Sequence, residues 1–156
     1  MSSGVAPSVR CMDALPPTPA PSSEAARRLL SRTKRRDTAP EIAVRRCLRE
    51  LGIGYRVDPT PEGLSRRRRA DIVISRGRVA GFVDGCFWHS CPVHLHPPKA
   101  NAEWWRLKLA SVVERDRDDD RQLLAAGWLP VRVWEHEDPA DAALRIALAV
   151  EDRRGR

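Results

Sequence analysis

The sequence has no uninterrupted apolar run approaching the roughly 20 residues of a membrane span, and no basic segment followed by an apolar one near its start. It therefore reads as a soluble, cytoplasmic protein with no membrane partner. Cysteine is sparse, with only Cys11, Cys47, Cys86 and Cys91. Without an export signal these four argue against a disulfide framework, and Cys86 with Cys91 points to a metal instead. Aromatic residues are few, two Phe, one Tyr and five Trp, and no internal repeat is visible. Acidic residues are in deficit, 21 against 28 Lys plus Arg, which leaves a formal charge of +7. That excess favours a polyanionic partner, because Lys and Arg near phosphates release condensed counterions, but it does not name one. At 156 residues the chain is too short for two independent domains, yet its 42% hydrophobic content falls in periodic clusters that can bury one core.

Residues 1–23, rich in Ser, Ala and Pro, hold too few large apolar groups to repay ordering entropy and read as a disordered tail. One domain is expected over 24–150, followed by a charged end over 151–156. Arg27, Arg28, Arg32, Lys34, Arg35 and Arg36 form a basic stretch that is either a solvated face or a phosphate-contacting arm. Thr38 and Glu41 stand at capping-box spacing with Pro40 in the first turn, so a helix starts there. Val44, Cys47, Leu48 and Leu51 give it one apolar stripe, and Gly52 ends it.

A second basic run, Arg66 to Arg69, precedes Ala70-Asp71-Ile72-Val73-Ile74, a short β-branched run that reads as a strand. Arg76-Gly77 suits a hairpin turn into a strand over Val79 to Val83, which brings Asp71 beside residues 83–89. A helical pattern over about 102–126 carries Leu109, Val112, Val113, Leu123 and Leu124 at core spacing, with Gly127 as terminator. Asp116 falls on the same stripe and there needs a partner, unless that part of the helix is an exposed edge. Val131 to Trp134 reads as a strand whose beginning Pro130 confines to an edge or a non-bonded position, and a last helix begins at Asp138-Pro139. Trp128 and Trp134 are expected in the core. This order of elements argues for an α/β fold with a mixed sheet flanked by helices.

Two thiols and three imidazoles fall within Cys86 to His96. Such donors make tetrahedral structural zinc sites. Cys86, Cys91 and His94 are the local choice, with His96 as an alternative to His94, and His136 is the preferred distant ligand because it ties the loop to the sheet. His89 then remains as a candidate general acid or base, or as a simple hydrogen-bonded loop histidine. Glu41, Asp71 and Asp116 form the other constellation. Carboxylates that hold Mg²⁺ and activate water suit phosphodiester hydrolysis, and Asp71 is the best direct ligand, whereas capping alone explains Glu41. Phe87, Trp88, Trp104 and Trp105 sit among polar neighbours, where rings can stack on bases or wedge between base pairs, although core packing is the default for any one of them.

With these motifs in place, residues about 33–138 resemble the very short patch repair (Vsr) mismatch endonucleases. The resemblance rests on R-D-T-A-P-E at Arg36 to Glu41, A-D-I-V around Asp71 and F-V-D-G-C-F-W-H at Phe82 to His89. It continues through the Trp105 region, E-R-D-R at Glu114 to Arg117, A-G-W at Ala126 to Trp128 and V-W-E at Val133 to Glu135. It implies a restriction-endonuclease-like fold and a Mg²⁺-dependent nick 5′ of the thymine in a T·G mismatch left by deamination of 5-methylcytosine. By resemblance, Asp71 and the backbone carbonyl of Val83 bind Mg²⁺, and Glu41, His89 and Asp116 surround the attacking water and the hydration waters of the metal. Phe87, Trp88 and Trp105 would wedge into DNA, and Cys86, Cys91, His94 and His136 would hold zinc.

The chain also departs from the pattern. Ala70 replaces a common Pro, the usual catalytic Lys is missing, Val83 replaces Thr, and His136 replaces Cys. Asp84 stands where the best-known form has His, which makes it a candidate further Mg²⁺ ligand. The expected partner is duplex DNA with a T·G mismatch, contacted by Lys34, Arg35, Arg36, Arg66, Arg67, Arg68 and Arg69. The protein is expected to be a monomer, in functional association with a cytosine-5 DNA methyltransferase and repair proteins. The competing readings are a nuclease of the same fold with another specificity, and an inert zinc-containing DNA-binding module.

Overall fold

The computed structural model describes residues 15–34, 36–66 and 68–155, so Cys11, Arg35 and Arg67 lie outside the described residues. Nine residues form α1 (Glu24–Arg32), followed by α2 (Ala39–Glu50), β1 (Arg56–Val57), β2 (Ile72–Ile74) and β3 (Val79–Asp84). The chain continues through α3 (Ala102–Ala125), β4 (Leu129–Trp134) and α4 (Pro139–Arg154). The strands lie in the order β1-β2-β3-β4, antiparallel except for the parallel pair β3-β4, which makes the mixed sheet that the order of elements implied. Among the described residues no helix is long and apolar enough to cross a membrane.

Strand alternation sorts the core onto the two faces of the sheet. Ile72, Ile74, Val79 and Val133 pack with Val44 and Leu48 of α2 and with Ala142, Ala143, Ile146 and Val150 of α4. Val73 and Ala80 point the other way, to Leu123 of α3 and Trp128, with Phe82 against them. Each fully buried Leu, Ile or Val contributes about 1.5–3 kcal/mol of transfer free energy, so these two clusters carry the fold. The same alternation puts Asp84 and Arg132 on the α3 face, where the site lies.

Thr38 caps α2 as its spacing required, its hydroxyl oxygen accepting the Glu41 N–H at 3.4 Å. Val44 and Leu48 are buried and Cys47 partly so, but Leu51 is 48% exposed, because the helix ends before it and Gly52 turns the chain away at φ +71°. In α3, Leu109, Val112 and Leu123 are buried, whereas Leu124 is rotated into solvent. The β2-β3 connection is a 3-10 turn over Ser75–Gly77, and the left-handed residue is Arg78 rather than Gly77. Gly77 serves packing: a Cβ there would lie 3.3 Å from the Val150 backbone of α4.

One expectation needs correction. Trp134 is only half-buried, stacked on His136 with ring centroids 6.3 Å apart, rather than in the core. Part of the expected tail is tied down, since Trp104 Nε1–H donates to the Pro16 carbonyl at 3.1 Å and Asn101 to that of Ala20 at 3.3 Å. Arg27, Arg28 and Arg32 of the basic stretch lie on α1, which Ser23 caps and which has no buried residue, as a solvated face would.

Candidate active site and metal centre

The loop after β3 folds back tightly. The Cys91 N–H donates to the Cys86 carbonyl at 2.9 Å and the Cys86 N–H to Glu135 Oε1 at 2.6 Å, which holds the loop against the end of β4. One donor atom from each of Cys86, Cys91, His94 and His136 then falls within 4.8 Å of the others. Cys86 Sγ lies 3.1 Å from His136 Nδ1, and Cys91 Sγ lies 3.8 Å from Nδ1 of both His94 and His136. His96 turns away to its neighbouring Leu95 carbonyl at 3.1 Å, which decides between the two alternatives. Burial, and next the adjacent Cys91, push the Cys86 thiol up to about 11, so thiolates would persist here only beside a cation. Two thiols and two imidazoles converging in this way fit a structural zinc site.

Asp71 lies just before β2 and accepts the Val83 N–H at 2.8 Å, so the strand pairing brings it to the end of β3. Burial is the main cause that pushes its carboxyl up to about 6, reinforced by the charges of Glu41 and Asp84 and opposed by the Val83 N–H and Arg45. A half-buried acid held up by neighbouring acids fits a hard divalent cation, which would offset that repulsion. Glu41 is buried at the start of α2. Its oxygens accept the Thr38 hydroxyl at 2.9 Å and the Asp37 N–H at 2.8 Å, so the capping reading holds, and its charge also reaches Asp71.

His89 Nδ1 is 2.6 Å from Asp116 Oδ2, which makes Asp116 a partnered carboxylate on the inner face of α3. Burial would lower the His89 pKa, but the hydrogen bond to Asp116 and the charge of Asp84 raise it above the ordinary value. Asp84 departs from the role of free metal ligand. Both its oxygens accept from Arg132 Nη1, at 2.9 and 3.1 Å, and it stands 3.6 Å from His89 Nδ1.

Phe87, Trp88 and Trp105 pack edge to face or tilted at centroid distances of 5.1, 5.2 and 5.9 Å, and Trp104 joins Trp105 at 4.9 Å. All four are half-buried, so the aromatic group is partly exposed. The basic residues divide. Arg68 is paired with Asp118 and Asp119 on α3, and Arg69 donates to the Asp58 carbonyl at 2.7 Å, so both brace the loop before Asp71 instead of standing free for phosphate. Arg36 is paired with Asp58 at 2.7 Å, while Lys34 and Arg66 are exposed and make no ion pair among the described residues.

Arg45 and Arg132 belong to this region without having been marked as site residues. Arg45 stands at i+4 from Glu41, a readable pairing, and is buried with Nη2 2.8 Å from Asp37 Oδ1. Arg132 was readable as the one charge inside an apolar strand, set opposite Phe82 in the β3-β4 register.

The family model described as DNA mismatch endonuclease Vsr matches residues 22–94. The chain is 42% identical over 129 residues, 82% of its length and 78% of the relative's, to the type II nicking enzyme V.NaeI of Lentzea aerocolonigenes. It is 36% identical over 105 residues, 65% of this chain and 71% of the relative, to the type II nicking enzyme V.NmeAIP of Neisseria meningitidis. To the DNA mismatch endonuclease Vsr of Escherichia coli it is 37% identical over 101 residues, 64% of this chain and 62% of that one. With an acid-imidazole centre beside a Cys/His metal cluster and this extent of similarity, the chain belongs to the Vsr endonuclease family.

Proposed function

We propose that this endonuclease nicks one strand of duplex DNA 5′ of the thymine in a T·G mismatch left by deamination of 5-methylcytosine, with Mg²⁺ as cofactor. The observation that carries the reading is that Asp84 lies between two groups, its charge felt by Asp71 beside Glu41 and its carboxylate 3.6 Å from the His89 that Asp116 holds, next to a half-buried aromatic group. Asp71 would hold Mg²⁺ with the Val83 carbonyl, and a divalent cation there supplies Lewis-acid stabilisation of the phosphoryl oxygens. Asp116 accepts the His89 Nδ1–H and so fixes the ring in the tautomer whose Nε2 lone pair takes a proton from water attacking phosphorus. Glu41 orients the acidic end of the site while capping α2. Phe87, Trp88 and Trp105 would insert beside the mismatch, where stacking contributes about 1–3 kcal/mol per base. Lys34 and Arg66 would contact phosphates. We place the protein on DNA in the cytoplasm, acting as a monomer alongside a cytosine-5 methyltransferase.

A second reading, a nicking enzyme of another site or lesion specificity, is favoured by the relatives named type II nicking enzymes. Duplexes carrying T·G, C·G or another mismatch in one sequence frame separate the two. Selective nicking of T·G with Mg²⁺, lost in Asp71→Ala and His89→Ala, supports the first reading; equal nicking of C·G overturns it.

A further inference from the structure

Arg132 reaches from the edge strand β4 across the α3 face of the sheet into a place where three carboxylates meet. Its Nη1 donates to both oxygens of Asp84, at 2.9 and 3.1 Å, and its Nε to Asp120 at 3.1 Å. Its Nη2 donates to the Asp116 backbone carbonyl at 3.3 Å and lies 3.9 Å from Asp116 Oδ1. The guanidinium plane sits over Phe82, 4.3 Å from the ring centroid. One side chain thus spans β3 and two turns of α3, with a face for the aromatic ring and a fork for the acids, a combination that only Arg offers.

The consequence concerns His89. Two acids stand near the same ring nitrogen, Asp116 at 2.6 Å and Asp84 at 3.6 Å. Asp84 is 5% exposed, and a buried carboxylate without a partner is costly enough to draw any cation within reach. With both its oxygens engaged by Arg132, the imidazole is left to Asp116. We propose that Arg132 is a positioning residue for the nicking reaction: by holding Asp84 and anchoring the Asp116 turn of α3, it decides which acid orients His89. Without it, Asp84 competes for His89 and turns the ring away from its working direction, and α3 is free to shift from the sheet at that turn. Misplacement on this scale costs about 10- to 100-fold in rate.

The inference rests on His89 being the proton-handling group, and the experiment keeps the two apart. Zinc-loaded full-length protein is assayed by steady-state nicking of the duplex that the wild type cuts fastest. Arg132→Gln should lower kcat by about 10- to 100-fold with KM changed less than about twofold. The double variant Asp84→Asn/Arg132→Gln, which removes the competing charge, should recover most of that loss. Should Arg132→Gln fail to fold, Arg132→Lys keeps the charge without the fork and should fold with an intermediate kcat. Wild-type kcat in a folded Arg132 variant, or a double variant no faster than the single, overturns the inference. Wild-type nicking by His89→Ala would instead overturn the reading of the site on which it rests.

Discussion

Replacing Asp71 by Asn should make the protein more stable while abolishing nicking, and the size of the gain follows from the site's electrostatics. The Asp71 carboxyl is raised from 3.8 to about 6, first by burial and then by Glu41 and Asp84. An acid whose folded pKa exceeds its unfolded one binds its proton more tightly in the native state. Native stability is then complete below about pH 4 and is lost as pH rises through about 6. At pH 8 the cost in magnesium-free protein is about 3 kcal/mol, taking about 1.4 kcal/mol per tenfold change in proton affinity. Asn removes that cost and keeps the hydrogen bond, since its carbonyl oxygen can still accept the Val83 N–H now bonded at 2.8 Å. At about 2–4 °C per kcal/mol for a chain of this size, melting temperature at pH 8 should rise by roughly 6–12 °C, with no gain at pH 4. The assay is thermal unfolding of zinc-loaded wild type and Asp71→Asn in magnesium-free buffer from pH 4 to 8. Magnesium should raise the melting temperature of the wild type and leave the variant unmoved. Equal stability at pH 8, or a difference that does not vary with pH, would refute the account of Asp71 as an acid held against its neighbours.

Other outcomes follow from the same geometry. Nicking should increase with pH through a midpoint above 6.5, because His89 is raised by its bond to Asp116 and must be neutral to accept a proton; Asp116→Asn should move the midpoint down, which pH-rate profiles will show. Removing zinc, or replacing Cys91 by Ser, should abolish bound zinc and cooperative folding, whereas His96→Ala should retain both by metal analysis and circular dichroism. Arg68→Ala should lower stability only slightly in denaturant titrations, because the cluster is partly exposed and Asp118 keeps Arg121 as a partner, with a small effect on the salt dependence of DNA binding. Arg66→Ala should do the reverse, leaving stability unchanged and reducing the slope of log affinity against log salt by about 1.

Much of this was legible because the decisive signals are local. The Thr38-to-Glu41 cap, the helix stops at Gly52 and Gly127 and the β-branched strand before Arg76 are each set by a few adjacent residues, and they appear near where expected, the strand beginning at Ile72 rather than Ala70. The zinc set was legible as donor chemistry, but the choice of His94 over His96 depended on which way the loop turned after Cys91. The basic residues misled for a related reason. Charge in a sequence shows neither Asp58 facing Arg36 and Arg69 nor Asp118 and Asp119 facing Arg68, since these partners lie far along the chain and meet only after folding. Asp84 was ambiguous in the same way until β4 delivered Arg132 beside it.

The metal centre and the reaction centre are coupled by their place in the chain. Cys86 and Cys91 bracket Phe87, Trp88 and His89, and the loop between them leaves β3 directly at Asp84. A short loop bearing two large rings and an imidazole would pay a high entropic cost to hold one arrangement, about 1–2 kcal/mol per residue for its backbone alone. Fixing both ends to one metal lowers that cost before DNA arrives, and His136 extends the fixation to the end of β4, the strand that also carries Arg132. The aromatic contact then needs only one further support from α3, which Trp105 supplies, while Asp116 on the same helix receives His89. Zinc binding energy is in this way converted into the orientation of groups that never touch the metal. On the proposed reading, with the chemistry at Asp71, that is the reason for a separate Cys/His cluster in the adjoining loop.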